Sequence, residues 1–155
     1  MATPTYELID STVLGSASAS VTFSSIPADY RDLVLVSNVI GSSGNVRLRY
    51  NADSSLIYSE VSMYGNGSTT TSNSNTSQSS AYLFISGTDG SIMVTQIMDY
   101  SATDKHKTGL NRFNVAGYVG AYAHRYASTS AISSLEVFGS TFDTGSTFYL
   151  YGIAG

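Results

Sequence analysis

The stretch "VRLRYN" (46–51) alternates without a break: Val46, Leu48 and Tyr50 fall on one side of an extended chain, Arg47 and Arg49 on the other. Successive side chains of a strand point to opposite faces, so this pattern reads as a half-buried strand with a wet outer face. Just upstream, "LVLVSNVI" (33–40) is the most apolar run in the chain and reads as a central strand buried on both faces. "GSSGN" (41–45) supplies the turn between them.

The same reading extends in both directions. "YELIDSTVLG" (6–15) and "SVTFSSI" (20–26) form an opening hairpin around the small residues "GSASA". "PADYRD" (27–32) is a corner, because Pro27 fixes its own φ and ends the strand before it. Downstream, strand signals recur at "LIYSEVSMY" (56–64), "AYLFIS" (81–86), "SIMVTQIMDY" (91–100), "LNRFNVAGYVGAY" (110–122), "AISSLEVFG" (131–139) and "STFYLYGI" (146–153). "GTDG" (87–90) and "STFDTG" mark turns, and "SATDKHK" (101–107) reads as a polar loop. No window carries apolar residues at helical spacing. A parallel sheet needs crossover helices, so nine or ten short strands without them imply antiparallel sheets. The expected architecture is a single all-β domain over 1–155, an antiparallel β-sandwich of jelly-roll type.

Composition narrows the function. At 155 residues the chain can bury a core without staples, and it has no Cys, so disulfides, thiolate metal sites and Cys nucleophiles are excluded. Charged residues make up 12% and the formal net charge is −4. The seven Lys and Arg are scattered, which argues against nucleic acid, since phosphate binding needs a basic patch. The start "MATPTYELIDSTVLG" lacks the basic and apolar regions of a secretory signal, and no apolar run approaches a bilayer span. Synthesis in a cytoplasm is expected.

One segment stands apart. All sixteen residues of "GNGSTTTSNSNTSQSS" (65–80) are Gly, Asn, Ser, Thr or Gln. With strands on both sides it reads as a long polar loop inside one domain, with Thr69–Thr71 able to continue a flanking strand. Twelve Tyr and no Trp are the other distinctive feature. Tyr offers a flat contact surface with a polar tip. Tyr58, Tyr64 and Tyr82 flank the polar segment and are candidates for an aromatic sugar platform, although any single strand Tyr can equally be half-buried packing.

Catalytic signals are weak. His106 lies in the charged loop "TDKHK", and His124, in "AYAHRYAS", reads as a surface or interface residue. The eleven acids are dispersed and mostly adjoin turns, so neither a glycosidase pair nor a calcium site emerges. The expectation is a protein without enzymatic activity, cofactor or metal.

Four segments carry a resemblance: "YELIDSTVLGSASASVTFSSIPADYRDLVLV", "RLRYNADSSLIYS", "YGNGS" and "AISSLEVFGSTFDTGSTFYLYGI". Together they resemble a family of small virion structural proteins of tailed phages, especially phages of cyanobacteria and marine bacteria. The resemblance spans nearly the whole chain, and its motifs define a fold rather than a site. It implies a β-sandwich on the outside of a virion, bound to the major capsid protein or another virion protein. A capsid decoration (cement) protein, with a homotrimer as its form, is the first expectation, and a tail-fibre or head-fibre domain binding host glycan is the alternative. Length and the lack of hydrophobic anchors make two segments candidates for contact with capsid or neighbour: Thr3, Pro4 and Tyr6 at the start, and Tyr64, Asn66, Thr70, Asn73 and Asn75 in the polar segment. A polysaccharide-cleaving enzyme is a third, weaker reading.

Overall fold

A computed structural model describes residues 4–41, 44–86 and 88–155. Thr3, part of the turn "GSSGN" and the first residue of "GTDG" lie outside them. Twelve strands are present among the described residues. In chain order they are β1 (Tyr6–Val13), β2 (Ser18–Phe23), β3 (Asp32–Val39), β4 (Gly44–Tyr50), β5 (Tyr58–Gly65), β6 (Thr70–Gln78), β7 (Ala81–Ser86), β8 (Ser91–Met98), β9 (Lys107–Val115), β10 (Tyr118–Tyr126), β11 (Leu135–Phe142) and β12 (Thr147–Ile153).

Two antiparallel sheets result, ordered β1-β12-β3-β8-β9-β10-β5-β6 and β2-β11-β4-β7. The pairs β1–β12, β2–β11, β3–β8 and β4–β7 are nested one inside the next. This is the order of a long antiparallel ribbon rolled into a sandwich, so the jelly roll expected from the sequence is present. Two hairpins interrupt the ribbon. β5–β6 is inserted between β4 and β7, and β9–β10 between β8 and β11. Both add to the same side of the larger sheet, which therefore extends well past the smaller one.

The core follows the alternation. Val46, Leu48 and Tyr50 are fully buried in one core with Leu33, Leu35, Phe148 and Leu150 of the opposite sheet, and Tyr50 packs on Tyr58 of β5 and Tyr126 of β10. β3 lies in the interior of the larger sheet between β12 and β8, as its apolar run implied.

Two strands more than the upper expectation are found, for identifiable reasons. The run 110–122 is not one strand but the facing parts of β9 and β10, joined by a two-residue turn in which Gly117 has φ 84°. The polar segment is a second correction. It is not a long loop: Asn66–Thr69 make a tight turn, and Thr70–Gln78 pair with β5 as an edge strand. Asn66 Oδ1 sets that turn by accepting the backbone N–H of Ser68 (3.0 Å) and of Thr69 (2.8 Å). Residues 70–77 are exposed. A strand that buries neither face has no apolar alternation, and only its Thr content hinted at extension.

Candidate functional site

The unequal sheets create a step. β7 forms one edge of the smaller sheet and packs across β9, β10 and β5. β6 lies beyond that edge, so Asn73 and Asn75 on its inward face stay exposed, while Glu60 and Ser62 on the inward face of β5 are buried beside β7. A polar cleft of about 340 Å³ occupies this ledge.

Its floor comes from cross-strand neighbours. Glu60 and Ser62 of β5 face Asn75 and Asn73 of β6, and Tyr122 of β10 lies on the other side of Ser62. Tyr64 closes one end, its ring parallel to that of Tyr122 with centroids 6.4 Å apart. The wall comes from the smaller sheet: Asn45 and Arg47 of β4, and Tyr82 of β7. Tyr82 stands edge-on to Tyr122 at 5.1 Å and donates its hydroxyl to Asn45 Oδ1 at 3.0 Å.

Glu60 ties floor to wall. One carboxyl oxygen accepts the backbone N–H of Tyr82 (2.9 Å), the other accepts Asn75 Nδ2 (3.1 Å). The first bond satisfies a donor on the otherwise open edge of β7. Burial pushes the phenols of Tyr82 and Tyr122 up, with Arg47 partly opposing this at Tyr82. Both rings therefore act as neutral hydrogen-bonding surfaces. Arg47 sits 5.5 Å over the Tyr82 ring and reaches Ser80 Oγ at 3.4 Å. Among the described residues it has no carboxylate within ion-pair distance, whereas Arg49 pairs with Glu136 at 2.9 Å.

The expected site residues separate into groups. Tyr64, Tyr82, Asn73 and Asn75 converge on the cleft. Tyr58 does not. It is a core residue whose hydroxyl accepts the Tyr50 N–H and donates to the Asp53 carbonyl, both at 3.1 Å. Six residues of strand place it about 20 Å from Tyr64. Asn66 is occupied in the turn, and Thr70 lies on the outer side of the hairpin with Met63, Val119 and Ala121, along a larger apolar groove of about 650 Å³. Pro4 and Tyr6 are exposed but sit at the β1 edge, opposite the β6 edge, so the expected contact set does not form one surface. Asn45, Arg47, Glu60, Ser62 and Tyr122 were not anticipated. Only the fold brings them together, although Arg47 was already visible as an outward-facing cation.

The two His lie in different settings. His106 is exposed. His124 corrects the surface expectation: it is 3% exposed, Nε2 hydrogen-bonds the Tyr50 hydroxyl, and burial lowers its pKa to about 4. Gly109 makes room for it, since a Cβ there would come within 2.4 Å of the imidazole. Among the described residues no three His, Asp or Glu cluster as metal ligands, and Glu60 is the single carboxyl lining the cleft.

No protein-family model and no curated protein matches the chain. Among solved structures, it is similar to the galectin LEC-6 of Caenorhabditis elegans, with 8% identity, a TM-score of 0.39, and 100% of this chain and 99% of that one covered. It is also similar to Scytalido-glutamic peptidase, with 12% identity, a TM-score of 0.37, and 83% and 66% covered. At these scores neither likeness carries a functional argument.

Proposed function

We propose that the protein is a non-catalytic saccharide-binding jelly-roll module on the surface of a phage particle. The observation carrying the saccharide reading is the ledge cleft. It combines neutral amides (Asn45, Asn73, Asn75), the half-buried phenols Tyr64 and Tyr82 and one cation (Arg47) in a concave, mostly polar site of about 340 Å³, with the buried Tyr122 ring beneath. A sugar presents a ring of hydroxyls, which suit amides, phenol hydroxyls and a guanidinium as hydrogen-bond partners. The single carboxyl has both oxygens engaged, so the pair that glycoside hydrolysis uses is not assembled here. The virion location rests on the sequence resemblance.

The test is a glycan array with the purified protein. Saturable binding to a defined glycan class is expected, lost in Asn73→Ala. Asn73 is exposed, so this change leaves the fold alone. A flat array, or binding unaffected by that substitution, refutes the cleft assignment.

A second reading, attachment to the assembled shell as a cement protein, is favoured by a separate observation. The outer face of the larger sheet exposes Val61, Met63, Ile92, Leu110 and Val119. Eight strands at about 4.8 Å, each about seven residues long, give a face of about 900 Å², close to one side of a standard interface. Attachment there would leave the cleft, on the opposite side of β5 and β6, facing outward. Binding the lattice but not free subunits stabilises the shell by mass action. Met63→Lys combined with Val119→Lys should abolish decoration of shells. Full occupancy by that variant sinks this reading.

A further inference from the structure

The free edge of β6 has properties that the cleft does not use. A sheet edge presents unpaired N–H and C=O groups, and proteins guard such edges with charge, Pro, bulges or shortness. The other edges here are guarded in these ways. β1 carries Glu7 and Asp10 and a register break between Leu8 and Asp10. β2 has six residues, and β7 has its Tyr82 N–H taken by Glu60. β6 has none of these devices from Thr70 to Thr76. It is uncharged, lacks Pro, keeps regular register with β5 from Thr70 to Asn75, and is exposed throughout. The irregularities, Ser77 at φ 55° and the slip opposite Tyr58–Glu60, fall at its far end.

The sequence of this edge is also self-complementary. In antiparallel pairing about a two-fold axis at Asn73, residue i lies opposite residue 146 − i. Asn73 meets Asn73 of the second copy, Ser72 meets Ser74, Thr71 meets Asn75, and Thr70 meets Thr76. Every pair is a neutral hydroxyl or amide, the kind that hydrogen-bonds across strands. The chain's net charge of −4 contributes no repulsion at the contact, because residues 65–80 carry no charge.

We propose that two copies of this chain pair through β6, joining the larger sheets into one continuous sheet. A two-fold contact of this kind is isologous and closes on itself. Directly opposed residues share a face, so the two ledge clefts open on the same side, within about 15 Å of each other by strand spacing. Asn73 and Asn75 of each copy would then also border the other's cleft, making the site bivalent. The pairing stands independently of the saccharide reading, and the bivalency rests on it.

The absence of Cys makes register testable by cross-linking. Asn73→Cys places its thiol on the axis, opposite its own copy and within disulfide reach. Thr70→Cys lies opposite position 76 and is remote from its own copy. Under mild oxidation, Asn73→Cys should give a covalent dimer and Thr70→Cys alone should not, while a mixture of Thr70→Cys with Thr76→Cys should. Sedimentation velocity of the unmodified chain should show concentration-dependent growth to twice its 16.4 kDa mass. Ser72→Lys with Ser74→Lys should keep the native circular dichroism and melting temperature but remain monomeric. A chain that is monomeric at every concentration, a trimer, or equal cross-linking at positions 70 and 73 overturns the proposal.

Discussion

Replacing Glu60 with Ala removes the link between the floor and wall of the cleft, and the cost can be worked from its contacts. Glu60 is 8% exposed, and its carboxyl accepts the Tyr82 N–H and Asn75 Nδ2. Truncation strands the part-buried Tyr82 N–H on the edge of β7; a fully buried donor left without a partner costs about 1–3 kcal/mol, and the adjoining cleft puts this one in the lower part of that range. Asn75 is exposed and can turn to water, so its lost bond adds little. The expected destabilisation is about 1–2 kcal/mol, which at a urea m-value of about 2 kcal/mol/M moves the midpoint down by roughly 0.5–1 M. Glu60→Gln supplies the control. Its amide oxygen still accepts the Tyr82 N–H, and Asn75 can rotate its own oxygen toward the new NH2, so the loss should be under about 1 kcal/mol. Urea unfolding followed by Tyr fluorescence measures both. A Glu60→Ala midpoint within about 0.3 M of the unmodified protein refutes the bridging role (roughly 0.6 kcal/mol at that slope). Equal losses in Ala and Gln would show that charge, and not the acceptor, holds the edge.

Two further outcomes follow from the buried polar groups. His124 has its pKa lowered to about 4 by burial, against about 6.5 when unfolded. Protons therefore bind the unfolded chain first, and the contribution present above pH 6.5 is lost as pH falls toward 4, by about 3 kcal/mol in all. Unfolding free energies between pH 7 and 4 should fall in the unmodified protein and be flatter in His124→Gln. Tyr58→Phe removes the acceptor for the buried Tyr50 N–H and should cost about 1–2 kcal/mol while leaving saccharide affinity unchanged. A lost affinity would return Tyr58 to the site.

The fold was legible because burial and period coincide in most strands. Val46, Leu48 and Tyr50 alternate since one face packs and the other is wet, and the run 33–40 is continuous because β3 lies inside the larger sheet. β6 was illegible for the complementary reason: with both faces exposed, nothing selects apolar residues at any spacing. At β9–β10 the split was hidden because both strands fell within one run of strand-like residues. The site was legible in part. Tyr64, Tyr82, Asn73 and Asn75 flank or belong to one segment, and that segment folds back as a hairpin beside β7. Sequence proximity misplaced Tyr58, because the start of β5 dives into the core as its end reaches the ledge. Asn45 and Arg47 reach the site through the nested β4–β7 pair, and Tyr122 through the pairing of β10 with β5 that joins the two inserted hairpins.

The proposed occupant of the ledge cleft is a saccharide. The most direct test of this is a two-dimensional amide NMR titration of the uniformly labelled protein with the strongest glycan from the array. Saturable shifts confined to the cleft are expected, at Asn45, Arg47, Glu60, Ser62, Asn73, Asn75 and Tyr82, with the side-chain amides of Asn73 and Asn75 among the largest. Shifts confined to the outer face around Met63 and Val119, or no shift at millimolar glycan, would contradict it.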